Sequence, residues 1–172
     1  MGHVLLTGSQ TSATSSVGSF VANLPEMLGS MAVDPRCLVA VAEFDDGRYV
    51  QFWVEPRGLV IAEVISNLNI GDARALTLDD ETYLREHGWS EPAPGPNPNW
   101  RFEATDVEGL MELVEMTGRA VFEVLGERAS GRVSLRTWAM ARDPDDETGA
   151  VREVARVHYQ SSLRDIQEQL DA

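Results

Sequence analysis

Residues 48–67 read RYVQFWVEPRGLVIAEVISN: two apolar runs of strand length on either side of the tight turn Pro56-Arg57-Gly58. Alternation of β-branched and aromatic residues with period two fits strands, and a three-residue loop ending in glycine fits a hairpin. With those three residues as the loop, Glu55 faces Leu59 and Gln51 faces Glu63 across the ladder. One face of the hairpin then carries Tyr49, Trp53, Leu59, Ile61 and Ile65, with the Gln51 amide and the Glu63 carboxylate side by side among them. A polar pair set into an aromatic-rich sheet face suits recognition better than catalysis.

The pattern extends outward from this hairpin. Residues 37–44 (CLVAVAEF) predict a strand, and Asp45-Asp46-Gly47 is a hairpin signal joining it to residues 49–55. With residues 59–66 this makes an antiparallel meander. Residues 100–104 predict a short fourth strand, and residues 132–140 (RVSLRTWAM) alternate as another.

Helical spacing marks the rest. Val17, Phe20, Val21, Leu24, Leu28 and Met31 recur every three or four residues, interrupted by Pro25 and ended at Asp34-Pro35. Proline either kinks such a helix or sits in the first turn of one that starts near Asn23. Thr77, with Asp80 three residues on, predicts the N-cap of a helix over 78–87. Gly88 then takes the left-handed position and Trp89 packs back on Leu84. A second capping box, Thr105 with Glu108, opens a helix ending at Gly126. Its stripe of Val107, Leu110, Met111, Val114, Gly118, Val121, Phe122 and Leu125 reads as core, with Gly118 permitting close approach of the sheet or another helix. Between these helices, residues 90–99 (SEPAPGPNPN) form a stiff, proline-rich loop.

These elements divide the chain into a flexible Ser/Thr-rich arm (1–16), an α/β domain (17–142) and a C-terminal extension (143–172). Residues 160–171 predict a helix, and residues 150–158 fit a helix or a strand.

Composition narrows the function classes. The 172-residue chain is 43% hydrophobic and carries 28 acidic against 14 basic side chains, a formal charge of -14; every basic side chain is arginine. That surface repels phosphate backbones and anionic membranes, and it is compatible with a basic or apolar protein partner. No stretch has the length of a membrane span and the N-terminus lacks a secretory pattern, so a cytoplasmic protein is expected. Cys37, the single cysteine, opens an apolar run and reads as a small buried hydrophobe.

Tests for catalytic chemistry come back empty. The histidines at 3, 87 and 158 lack metal-ligand spacing, so neither a metal nor another cofactor is expected. There is no phosphate-cradling glycine loop and no nucleophile elbow. Asp45-Asp46 and Asp79-Asp80 do not follow calcium-loop spacing, and turn and cap roles explain them. Glu43, Glu55 and Glu63 fall on strands. Glu63, between Ile61 and Ile65, is the one that could serve as an acid or base, but a register-fixing hydrogen bond to Gln51 is the simpler reading.

The succession YVQF (49–52), AEVISN (62–67), Leu76-Thr77 before a short acidic helix, Gly88-Trp89, a Pro- and Asn-rich loop and an amphipathic helix resembles the TY-Chap family. These are actinobacterial domains related to type III secretion chaperones and to the YbjN family. The resemblance covers about residues 17–140. It implies an α/β fold of the α+β type, in which helices cover one face of a curved antiparallel meander. It also implies a non-catalytic chaperone or adaptor that binds a peptide or protein segment, in a family whose relatives are often dimeric. Gln51, Glu63, Asn67 and Trp89 occupy family-like positions.

The expected partner-binding residues are therefore Tyr49, Gln51, Trp53, Ile61, Glu63, Asn67 and Trp89, with no catalytic residue. Two alternatives stand beside this reading. One is a homodimeric structural or regulatory protein using the 107–125 stripe or the C-terminal helix. The other is a small-molecule enzyme using Glu63 with Tyr49 or His158.

Overall fold

A computed structural model describes residues 11–34, 38–55, 58–70, 74–94 and 98–139. Cys37, the turn residues Pro56 and Arg57, His3, His158 and the helix expected over 160–171 lie outside the described residues.

The hairpin that decides the fold has the register its sequence dictates. Strand β3 (Tyr49–Val54) pairs antiparallel with β4 (Val60–Val64), with Gln51 opposite Glu63 and Trp53 opposite Ile61. Glu55 N–H donates to Leu59 O at 2.9 Å and Gly58 N–H to Glu55 O at 2.9 Å, so the loop closes where proposed. Strand β2 (Leu38–Phe44) lies beside β3, and β5 (Trp100–Ala104) lies beside β4.

Two further strands complete the sheet on the other side. Strand β6 (Arg132–Ala139) inserts between β2 and β1 (Thr11–Ser16), giving the antiparallel order β1-β6-β2-β3-β4-β5. This corrects one expectation. Residues 11–16, assigned by composition to a flexible arm, form an exposed edge strand because six consecutive partners in β6, from Thr137 to Arg132, pair with them. Backbone pairing supplies what the Ser/Thr side chains cannot.

Helices cover one face. The predicted first helix is two: α1 (Val17–Ala22) and α2 (Leu24–Val33), separated at Asn23, with Pro25 in the first turn of α2. Ser16 ends β1 and caps α1, its side chain accepting from Ser19 N–H. α1 lies against β6, α2 against β3, and α4 (Val107–Arg119) against β5 and β4. The sheet's inward side chains, among them Ala40, Ala42, Phe44, Val50, Phe52, Val54, Ala62, Val64, Trp100 and Phe102, join Leu24, Leu28, Leu110 and Leu113 in one buried cluster. Each fully buried leucine contributes about 2–3 kcal/mol to such a core.

α4 departs from its sequence reading in two places. Its cap is Asp106, whose carboxylate accepts from Gly109 N–H at 2.8 Å, one residue later than the expected Thr105. Beyond Arg119 it widens into a π-helical turn, Ala120–Val124, closed by Leu125 N–H donating to Ala120 O at 2.9 Å. The extra residue in that turn rotates the buried face. Leu113, Thr117, Ala120 and Val124 are buried, whereas Met111 and Phe122 are 44% and 37% exposed. Most of the stripe is thus spent on the core and is not free for self-association. Gly118 does allow a close approach, by α1: a Cβ there would stand 3.2 Å from Val21 Cγ1.

α3 (Leu78–Glu86) has both halves of the expected capping box at Thr77 and Asp80. It ends as predicted: Gly88 has φ +83°, Trp89 N–H donates to Leu84 O at 3.1 Å and Gly88 N–H to Arg85 O at 3.3 Å. Trp89 is buried and meets Phe102 edge-on at 5.5 Å.

Candidate peptide-binding face

The strand registers place every second side chain on the face away from the helices. One cross-sheet row runs Trp138, Val39, Trp53, Ile61, Glu103, from β6 to β5. The next runs Arg136, Val41, Gln51, Glu63, Arg101, and a third carries Ser134, Glu43 and Tyr49. Val39, Val41, Trp53 and Trp138 are half-buried, and none of them joins the core cluster.

By side-chain size the rows make a shallow groove over β2. Valines at 39 and 41 form a low floor. Trp53, Gln51 and Tyr49 from β3 stand on one side; Trp138 and Arg136 from β6 stand on the other. Side chains rise roughly perpendicular to a sheet, and the two flanking strands are about 10 Å apart. At its far end the floor closes at Glu43, which accepts from Arg136 Nη2 at 2.9 Å. A polar depression of about 400 Å³, lined by Thr14, Glu43, Phe44, Asp45, Arg132 and Ser134, lies beyond.

On the other side of Trp53 the face is sealed. The Arg101 guanidinium lies 5.5 Å from the Trp53 ring centroid, and the two residues bracket the strand that carries Ile61, which is fully buried. Arg101 is held by Glu55 at 3.5 Å and Glu103 at 2.6 Å, the latter an ion pair off the hydrogen-bond line. This clamp fixes one wall of the groove.

Beneath the clamp lies a polar network. Glu63, 5% exposed, accepts at Oε2 from Gln51 Nε2 at 2.6 Å and from Asn99 Nδ2 at 3.0 Å. Asn99, also buried, donates to the Tyr49 hydroxyl at 3.1 Å and accepts from Ser66 N–H at 3.3 Å and Asn69 Nδ2 at 2.8 Å. Ser66 Oγ donates to Pro98 O. Asn67 pins the approach to α3: its Nδ2 donates to Leu76 O at 2.9 Å and Glu81 Oε1 at 3.0 Å, and its Oδ1 accepts from Leu76 N–H at 2.6 Å.

The structure thus sorts the seven expected site residues. Tyr49, Gln51 and Trp53 line the open face at half exposure. Ile61 and Glu63 share that face but are covered, Asn67 braces a loop, and Trp89 belongs to the core on the opposite side. Val39, Val41 and Trp138 were missed. Period-two alternation puts Val39 and Val41 on one face of β2, but only the pairing of β6 with β2 brings Trp138 alongside.

The chain matches the family model TY-Chap3, the T3SS (YopN, CesT) and YbjN peptide-binding chaperone 3, over residues 15–139. The chain belongs to the TY-Chap3 family. The match begins at the last two residues of β1 and runs to the end of β6. The family's description is that of a peptide-binding chaperone. No curated protein matches the chain, and no solved structure does. No described helix is long and apolar enough to cross a membrane, and no group of metal-ligating side chains gathers among the described residues.

Proposed function

We propose that this TY-Chap3 domain is a cytoplasmic chaperone or adaptor that holds an extended apolar segment of a partner protein in the groove over β2. The observation that carries the reading is the row Trp138–Val39–Trp53, two half-buried indoles flanking a low aliphatic floor on a face that no described helix covers. Aromatic walls around an aliphatic floor anchor alternate side chains of an extended chain, and tryptophan is the residue most often found at such hot spots. Tyr49 and Gln51 continue the wall. Ile61 and Glu63 hold that wall from the neighbouring strand, whereas Asn67 braces the approach to α3 and Trp89 the core, and none of the four touches the segment.

An array of extended peptides of graded hydrophobicity, probed with the full chain, tests this. Trp53→Ala and Trp138→Ala each weaken the best binders by about thirtyfold, the usual consequence of truncating an aromatic anchor. Met111→Ala, on the helix layer, leaves them unchanged. Binding indifferent to both tryptophans removes the reading.

A further inference from the structure

We propose that the segment held over β2 carries two apolar residues spaced i and i+2, over Val39 and Val41, and a lysine or arginine two residues further along that enters the polar depression beside Glu43; this inference rests on the function proposed above. Val39, Val41 and Glu43 follow one another on the open face two residues apart. An extended segment lying along β2 has the same repeat, about 6.6–6.8 Å for every second residue, so its alternate side chains meet these three in turn.

Polarity rises along the rows they belong to. The first holds Trp138, Val39 and Trp53, the second Arg136, Val41 and Gln51, the third Thr14, Ser134, Glu43 and Tyr49. The depression of about 400 Å³ adjoins the third row, and there the hydroxyls of Thr14 and Ser134 share the lining with the carboxylates of Glu43 and Asp45. Its volume is within the range of small ligand sites, with space for one long side chain.

Charge decides which side chain fits. Arg136 takes Glu43 Oε2 at 2.9 Å and Arg132 takes Asp45 Oδ1 at 3.1 Å. Glu43 Oε1 and Asp45 Oδ2 have no partner among the described residues, and a carboxylate accepts at both oxygens. An ammonium or guanidinium entering the depression finds these two acceptors and the hydroxyls; a carboxylate meets like charge. Glu55 and Glu103 share the single Arg101, while Glu43 and Asp45 hold one arginine each, so carboxylates outnumber guanidiniums around the groove. Glu43 and Asp45 are 46% and 62% exposed, so water screens the attraction, and it selects among segments more than it holds them.

Fluorescein-labelled ten-residue peptides, titrated with the full chain, test this. They are serine throughout, with leucine at the third and fifth positions and lysine, glutamine or glutamate at the seventh. A second set carries the variable residue at the first position, since a segment can run either way along β2. In one of the two sets the lysine peptide binds about fivefold more tightly than the glutamate peptide, with glutamine between. Raising the salt from about 50 mM to about 0.5 M brings that ratio towards one. Glu43→Gln with Asp45→Asn leaves lysine and glutamate within about twofold of each other. Glu43→Gln alone goes part of the way, which covers a double variant that fails to fold. Glu86→Gln with Glu112→Gln removes the same charge from α3 and α4 and leaves the preference intact.

Equal binding of lysine and glutamate peptides by the native chain in both sets overturns the inference. So does a preference that the Glu86, Glu112 pair of substitutions lowers as much as the Glu43, Asp45 pair does, because overall charge then accounts for it. In either case the function stands as long as Trp53→Ala and Trp138→Ala still weaken binding. A lysine preference that depends on Glu43 and Asp45, in binding indifferent to both tryptophans, removes the function and leaves the depression as a reader of basic side chains. No binding by any peptide removes both.

Discussion

Gln51 stands directly opposite Glu63 in the β3–β4 ladder and donates to its Oε2 at 2.6 Å, while Asn99 donates to the same oxygen from outside the sheet. A carboxylate in a nearly dry position is tolerable only when its acceptor sites are filled. The pair therefore belongs to the architecture of the face, and it ties the loop before β5 to the middle of the sheet.

Asn99 is the joint of that network. Asn99→Ala removes a donor from Glu63 and from Tyr49 and an acceptor from Ser66 N–H and Asn69. Stability falls by about 2–3 kcal/mol, since buried partners left unsatisfied cost about 1–3 kcal/mol each and nearby losses are not additive. Urea denaturation reads it, and an unchanged midpoint would mean that the network contributes nothing.

At the end of α3, Gly88→Ala forces an alanine into a left-handed backbone with its Cβ 3.3 Å from Phe102 Cε2. The backbone term alone costs about 1–2 kcal/mol. Thermal unfolding monitored by the signal of Trp89, the next residue, shows the loss directly.

Thr117 runs the other way. Its hydroxyl is fully buried on the inner face of α4, with no hydrogen-bond partner among the described residues. Thr117→Val keeps the shape and deletes the orphan group, and the protein gains about 1 kcal/mol. A loss of stability would show that the hydroxyl has a partner after all.

Acid stability carries the mark of Glu127. Burial pushes its carboxyl up, Asp46 pushes it further, Arg48 pulls it down, and Asp45 adds a smaller upward push. The folded state then holds this proton more tightly than the unfolded chain. The stabilisation is fully present below the ordinary glutamate value and is lost as pH rises through the folded one. Glu127→Gln flattens that part of the profile. Urea midpoints between about pH 4 and pH 7 test it, and a profile that keeps its slope in the variant assigns the slope to another group.

Local chemistry was legible in the sequence; long-range pairing was not. The Gln51–Glu63 register followed from a three-residue turn and period-two alternation. The Gly88 cap followed from a left-handed position that glycine fills without steric cost. β1 was invisible because TSATSS has no hydrophobic pattern: it is a strand only because β6 lies beside it. The stripe of α4 was misread at Phe122, since a helix-period stripe assumes regular turns and the π turn at Ala120–Val124 breaks that period; Met111, in the regular part of the helix, lies at the exposed edge of a stripe drawn one residue too wide. Of the site, the β3 wall was visible and the β6 wall was not, because the face Trp138 joins depends on a partner strand nearly a hundred residues earlier in the chain.

That dependence has a consequence for biosynthesis. β6 bonds to β1 on one side and β2 on the other, and it is the last described strand to leave the ribosome. Until it emerges, the meander of β2 to β5 has a bare flank at Val39 and Val41, and Thr11–Ser16 has nothing to pair with. The nascent chain must keep that flank from foreign strands while some ninety residues are added, and a translation stall before Arg132 turns the binder into a client for other chaperones.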